Sequence, residues 1–256
     1  MPRLSFLKLS GLCLILLAAV RLPAQLPAGT LLPVMLSDSL DSDKSKAGEN
    51  VSAKLKQDVP LPDAGRIRAG ADVLGHVVSS RRAGGNLPAD VVVVFDRIRS
   101  DDREIGIATS LRALGSMQAV FDAGQPINGT SQVGSSVWDW TTRQVGGDLV
   151  FRGEKKVKSK MGTVGTSPQP GWVLGIPRAN PEDGCMDSGA NGVQAFWVFS
   201  TDACGVYGTK DLQIFRPAPT QPPDQIMLVS SKRVQVRSGS GLLLTVLPQS
   251  TAKAAH

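Results

Sequence analysis

The sequence predicts a mainly β protein. The N-terminal strands should form a small barrel or sandwich, closed by the C-terminal strands, with an aromatic-rich, disulfide-bearing β region inserted or appended. Three observations point this way. Apolar and polar residues alternate over short runs, as half-buried strands require. Glycine and proline, 27 and 17 of 256 residues, end each run before a long helix can form. Cys185 and Cys204 remain as an even pair once the N-terminal leader is set aside, and in an oxidising compartment such a pair reads as a disulfide.

The leader is residues 1–24, which read as a cleavable secretory signal peptide. Arg3 and Lys8 make a positive start, residues 9–20 are uncharged and apolar, and Leu22, Pro23 and Ala24 end on a small residue suited to signal peptidase. The stretch is shorter than the ~20 apolar residues of a spanning helix. Cleavage is expected after Ala24, with Gln25 as second choice and an uncleaved anchor as the alternative, given Arg21. Cys13 follows Leu12 inside the apolar stretch, whereas a lipidated cysteine needs a small residue before it. No later stretch is apolar enough to span a membrane. Of the formal charge of +6, Arg3, Lys8 and Arg21 belong to the leader, so the exported chain carries +3. So small an excess does not call for a nucleic-acid partner.

Residues 26–122 are expected to form the barrel-like region. Strands are predicted at 30–36, at 51–59 with Val51, Ala53, Leu55 and Val59 on one face, at 71–79, 90–99 and 103–111. The last two flank a short hairpin turn at Ser100, Asp101 and Asp102. Residues 123–170, rich in Gly and Ser, read as a basic excursion with a short helix around 135–144. The disulfide-bearing region spans 171–216, with strands at 172–176, 193–200 and 212–215, and most of the aromatic residues lie between Phe121 and Pro217. A Pro-rich connector, 217–224, leads to C-terminal strands within 225–248. A bridge between Cys185 and Cys204 would contribute ~3 kcal/mol by constraining the unfolded chain; free thiols or a metal pair are the alternative.

The Leu26–Thr30 segment carries a Pro-x-Gly-Thr strand opening, residues 57–59 end the next strand near Asp58 and Val59, and residues 70–75 supply a Gly-containing turn. With these motifs residues 26–115 resemble the TrbI-like barrel of type IV secretion and conjugation channel scaffolds. VVVVFDRIRSDDREIGIATSLRALG continues as the family's hairpin would, and RVQVRSGSGLLLTVL is placed to close the same barrel. The resemblance implies a non-enzymatic envelope scaffold. The chain departs from the family in having a cleavable leader where the family has a cytoplasmic tail, membrane helix and Pro-rich reach. Fold resemblance alone carries no function.

The residues available for chemistry are few. His76 and His256 are the only histidines, which argues against zinc hydrolases and Ser-His-Asp triads. There is no nucleophile elbow, Walker A loop or dinucleotide fingerprint, and Ser250 with Lys253 lies in the tail. Asp38, Asp41 and Asp43, or Glu182, Asp183, Asp187 and Asn191, are candidate calcium loops, although neither follows EF-hand spacing and solvated loops are the simpler reading. Trp172, Phe196, Trp197 and Phe199 could stack a sugar, but neighbouring strand residues point to opposite faces, so a core explains them more cheaply. Two glycosylation sequons, at Asn50 and Asn128, matter only in a eukaryotic source. The run Arg152, Lys155, Lys156, Lys158 and Lys160 is the candidate contact with an anionic surface, against a solvated loop.

The expected protein is thus an exported, non-enzymatic β protein of the periplasm or envelope with a binding or scaffolding role. No catalytic residue, metal or cofactor is assigned. Its partners are undefined, with envelope proteins or an anionic lipid or polysaccharide surface as candidates. A component or relative of a type IV secretion or conjugation channel is the alternative, and a hydrolase using carboxylates such as Asp183 and Asp187 is the remote third.

Overall fold

Ten strands form one mixed sheet: β1 (Leu31–Leu36), β2 (Asn50–Leu55), β3 (Asp72–Arg81), β4 (Ala89–Ser100), β5 (Arg103–Gly106), β6 (Thr109–Gly115), β7 (Gly205–Tyr207), β8 (Leu212–Phe215), β9 (Ile226–Ser230) and β10 (Gly241–Val246). They come from a computed structural model that describes residues 25–62, 65–100, 103–125, 140–147, 149–152, 156–159, 162–166, 173–186, 189, 192–216 and 222–248. The expected signal peptide, the tail with His256, and the sequon at Asn128 lie outside these residues.

Nine strands follow the order β7-β6-β10-β1-β2-β3-β4-β9-β8, and β5 pairs beside β4. Every pairing is antiparallel except that of β7 on β6. The ends of this path, β7 and β8, are consecutive in sequence and touch across residues 208–211, so the sheet curls into a nearly closed barrel. The first strand sits between the second and the last, with Leu31 opposite Thr245 and Val34 opposite Leu55.

Alternation decides what enters the barrel. Leu32, Val34 and Leu36 of β1 point inside and meet Ala53, Leu55, Val93, Phe95, Leu228 and Leu244 in the main core. Leu31, Ala113 and Leu243 point outward, yet they too are buried. They join a second core with Ala123, Val145, Val150, Phe196, Val198, Phe199 and Ala203. The run Leu242, Leu243, Leu244 is therefore continuous because β10 is covered on both faces, which a one-sided strand never needs. Along β3 and β4 the register slips after Leu74 and again after Val77. At the first slip a Cβ on Gly75 would lie 1.8 Å from the Val94 carbonyl oxygen, so the strands approach only because residue 75 is glycine.

The outer layer consists of helix α1 (Met117–Ala123), a four-stranded antiparallel sheet (Trp140–Arg143, Leu149–Arg152, Lys156–Ser159 and Gly162–Thr166), and the pair Val173–Gly175 with Gln194–Trp197. Ser116 caps α1, its Oγ accepting from the Ala119 amide at 3.1 Å. Several sequence expectations change here. The short helix expected around 135–144 is not formed in its described part: residues 140–143 are a strand, whose β-branched Thr141 and Thr142 suit a pleated surface paired with residues 149–152. The expected strand 103–111 is two strands, because the chain leaves its hairpin with β4 at Gly106 and re-pairs with β10 from Thr109. The expected strand 51–59 ends at Leu55, and Val59 pairs separately with Ile67. The aromatic-rich character is also corrected. Among the described residues one aromatic pair stands out, Trp197 edge-on to Phe199 at 6.4 Å, and the second core is otherwise mostly small and aliphatic.

Candidate functional site

The expected disulfide is present, joining Cys185 to Cys204 with Cα atoms 6.0 Å apart. Both cysteines are buried. Cys185 ends a tight turn built on the 3-10 segment Pro181–Asp183, where Asn180 and Cys185 exchange backbone hydrogen bonds. Cys204 immediately precedes β7, one of the two strands at the barrel's seam. Arg216, immediately after β8, comes from the other side of that seam. Its Nη2 lies 2.8 Å from Cys185 Sγ and 3.6 Å from Cys204 Sγ, and its Nε donates to the Asp183 carbonyl at 3.3 Å. Burial pushes the Arg216 guanidinium below its ordinary pKa. The Tyr207 hydroxyl closes the same corner, accepting from the Cys204 amide at 2.9 Å and donating to the Cys204 carbonyl at 2.7 Å. Burial holds that phenol above its usual range.

Beneath the disulfide lies Arg112, a residue the sequence did not single out. Leu243 faces Ala113 and Leu244 faces Leu111, so Arg112 is the extra residue of a bulge in β6. Its guanidinium is almost fully buried. Nε donates to the Ala203 carbonyl at 3.1 Å, Nη1 to the Met186 carbonyl at 2.9 Å, and Nη2 to the Arg178 carbonyl. One fork thus gathers both arms of the 176–193 connection, on either side of its 3-10 turn, and the segment at Ala203 onto the barrel wall. An arginine inside an otherwise alternating strand was the only sequence signal for it.

A groove of about 610 Å³ opens between the start of β1 and the outer layer, lined by Pro27, Leu31, Val59, Pro60, Leu174 and Val193 among others. Gln194 stands at its wall, accepting from the Leu31 amide at 2.7 Å. Asp58 and Arg66, 3.4 Å apart, also line it.

The basic run is divided by the structure. Arg152 ends one strand of the four-stranded sheet, and Lys156 and Lys158 lie in the next; Lys155 and Lys160 are outside the described residues. The acidic loop at 38–43 is committed to internal partners. Asp38 accepts from the Ser52 amide and hydroxyl at 2.8 and 2.7 Å. Asp41 takes both the Nε (2.8 Å) and Nη2 of Arg233, whose Nε also lies 3.3 Å from Asp43. The hydrogen bond from Arg233 holds the Asp41 carboxyl below its ordinary value of 3.8 against the opposing effect of burial. Glu182 and Asp183 sit in the 3-10 turn, where Asn180 Nδ2 donates to Asp183 at 2.6 Å; Asp187 and Asn191 are outside the described residues. No group of three or more His, Cys, Asp or Glu side chains suited to a metal ion occurs among the described residues. His76 lies on β3 with Nδ1 3.4 Å from Asp96. Phe196 and Phe199 are fully buried in the second core, while half-buried Trp197 has the Lys56 ammonium 5.3 Å from its ring centroid. No helix among the described residues is long and apolar enough to cross a membrane.

No family model matches the chain, and no curated protein matches it. Among solved structures it is similar to ComB10 of the Com type IV secretion system of Helicobacter pylori, at 12% identity over 86% of this chain and 90% of that chain, with a TM-score of 0.26.

Proposed function

We propose that this chain is a non-enzymatic scaffold barrel of the bacterial cell envelope, a component or relative of the type IV secretion and conjugation channels. The observation that carries the reading is the position of β10. The segment resembling the TrbI-like barrel supplies β1 to β6, and the last strand completes it by pairing with both β1 and β6. The disulfide fits an oxidising compartment. The site geometry adds to this: Arg112, Arg216 and the Cys185–Cys204 bridge spend their polar groups on holding the wall together, a mechanical use that suits a scaffold.

A second reading, a stand-alone exported barrel that binds an apolar ligand, is favoured by the groove beside β1, whose volume falls in the range of small-molecule sites. One experiment separates the two. Cells expressing the protein at native level are fractionated, and the extracted protein is weighed by native mass spectrometry. A multimeric ring sedimenting with the outer membrane is expected. A monomer released quantitatively by osmotic shock would overturn the scaffold reading and leave the second.

A further inference from the structure

We infer that the groove beside β1 binds a fatty acid, with the chain along its apolar wall and the carboxylate at Arg216. This rests on the second reading above only in placing a ligand in the groove, and it names the chemistry of that ligand.

A second hollow, of about 390 Å³, adjoins the groove, and Ala28 and Gly189 line both. Strand register sets the two over one face of the barrel. Leu31, in the groove, pairs directly with Thr245, which pairs in turn with Ser110, and both of these line the second hollow. Directly paired residues share a face, here the outward one of Leu31. Ala28 and Gly189 are exposed, so a long ligand can pass over them from one hollow to the other.

The two ends differ in charge. In the groove Asp58 pairs with Arg66 at 3.4 Å and accepts from the Ala69 amide at 2.9 Å, so that end is neutral. The second hollow has Arg112 and Arg216 in its lining, and no Asp or Glu among the described residues that form it. Arg112 spends Nε, Nη1 and Nη2 on carbonyls and acts there as a fixed charge. Arg216 is exposed; its Nε and Nη2 serve the Asp183 carbonyl and the two sulfurs, while its Nη1 has no partner among the described residues. A carboxylate placed there gains a charge-assisted hydrogen bond. The Asp183 carboxylate lies outside this lining and accepts from Asn180 Nδ2 at 2.6 Å.

The wall of the groove suits an acyl chain better than a peptide. An extended peptide needs backbone partners along its length, and the residues that open β1 spend theirs internally. The Gly29 amide donates to the Val246 carbonyl at 2.8 Å, the Thr30 amide to the Pro27 carbonyl at 3.2 Å, and the Leu31 amide to Gln194 at 2.7 Å. The Thr30 carbonyl accepts from the Val246 amide at 2.9 Å. A chain without hydrogen-bonding groups leaves all of these in place. Leu31, Val59, Leu174 and Val193 offer it apolar surface.

The test titrates the full chain, freed of co-purifying lipid on a hydrophobic resin, with decanoate, octanoate and decanol by calorimetry at neutral pH, where the carboxylates are ionised. Decanoate is expected to bind. Octanoate, two methylenes shorter, should bind about tenfold more weakly. Decanol, which lacks the charge-assisted bond, should bind weaker than decanoate by about tenfold or more. R216Q should lose most of this preference for decanoate over decanol, whereas R216K, which keeps a cation, should retain it. V193D, at a groove residue 57% exposed, should weaken both ligands. K232Q, at an exposed residue outside both hollows, should bind as the parent does. Circular dichroism of each variant checks the fold. Decanol bound as tightly as decanoate, or a preference unchanged in R216Q, would overturn the inference and leave a groove for uncharged apolar ligands. Binding of neither would overturn that reading as well. An apolar peptide with a free C-terminal carboxylate that binds more tightly than decanoate would replace the fatty acid with a peptide.

Discussion

Arg112 shows how one side chain converts a strand irregularity into tertiary structure. The bulge at residue 112 turns a guanidinium into the space between barrel and outer layer, where the carbonyls of Arg178, Met186 and Ala203 accept from it. Removing it leaves the buried Ala203 carbonyl without that donor, at about 1–3 kcal/mol, and frees the more exposed Met186 and Arg178 carbonyls. Arg112→Ala should therefore lower stability by about 1–3 kcal/mol, read from urea unfolding midpoints. Arg112→Lys should recover little, because one ammonium cannot span a fork of three directions. If Ala and Lys variants unfold at the parent midpoint, the guanidinium is not the clasp described.

At the level of elements, the short pair formed by Leu40–Asp41 and Gln235–Val236 depends on the contact of Arg233 with Asp41. The folded pKa of Asp41 is depressed. Its contribution to stability is therefore complete above the unfolded value and is lost as pH falls through the folded one. Asp72, held down by its hydrogen bond from Lys54, behaves alike. Thermal unfolding followed from about pH 5 to pH 2 should show a falling Tm, and Arg233→Gln should flatten that fall while lowering Tm near neutrality. Parallel curves for the two proteins would show that the contact is not the acid-sensitive one.

The elements differ in how plainly their own residues announce them. The period-two runs at β1, β3, β4, β9 and β10 were legible because their burial alternates or is uniformly apolar. β7, three residues long, is too short to carry a period. Helix α1 is two turns behind a single serine cap, and nothing in MQAVFDA distinguishes it from loop. The candidate basic run was visible as composition, but its division between two paired strands was not, because no count of lysines contains the turn between them. The Cys185–Cys204 bridge was legible by elimination; its stacking against Arg216 was not.

For the whole molecule, the bridge and Arg216 act where the barrel is weakest. β7 and β8 bring the sheet's two ends together with no hydrogen-bonded ladder described between them, and the contact of Arg216 with both sulfurs crosses that gap. The double variant Cys185→Ser, Cys204→Ser should lose about 3 kcal/mol by the loop-closure argument. Amide exchange at Val206 and Ile214 should rise more than at Leu243, since opening starts at the seam. Uniform acceleration across all three amides would contradict a seam-local role.

The place of β1 between β2 and β10 has a consequence for how the chain is made. Synthesis delivers Leu31–Leu36 well before Gly241–Val246, so β1 has one lateral partner early and must wait until residue 241 has been made to receive the other. Until then its free edge, carrying Leu31, Leu32 and Val34, is an apolar template for misassociation. Folding of this topology is therefore a post-delivery event. Truncation of a few C-terminal residues within β10 should yield aggregates rather than a smaller barrel, because what is removed is the stave that finishes the first one.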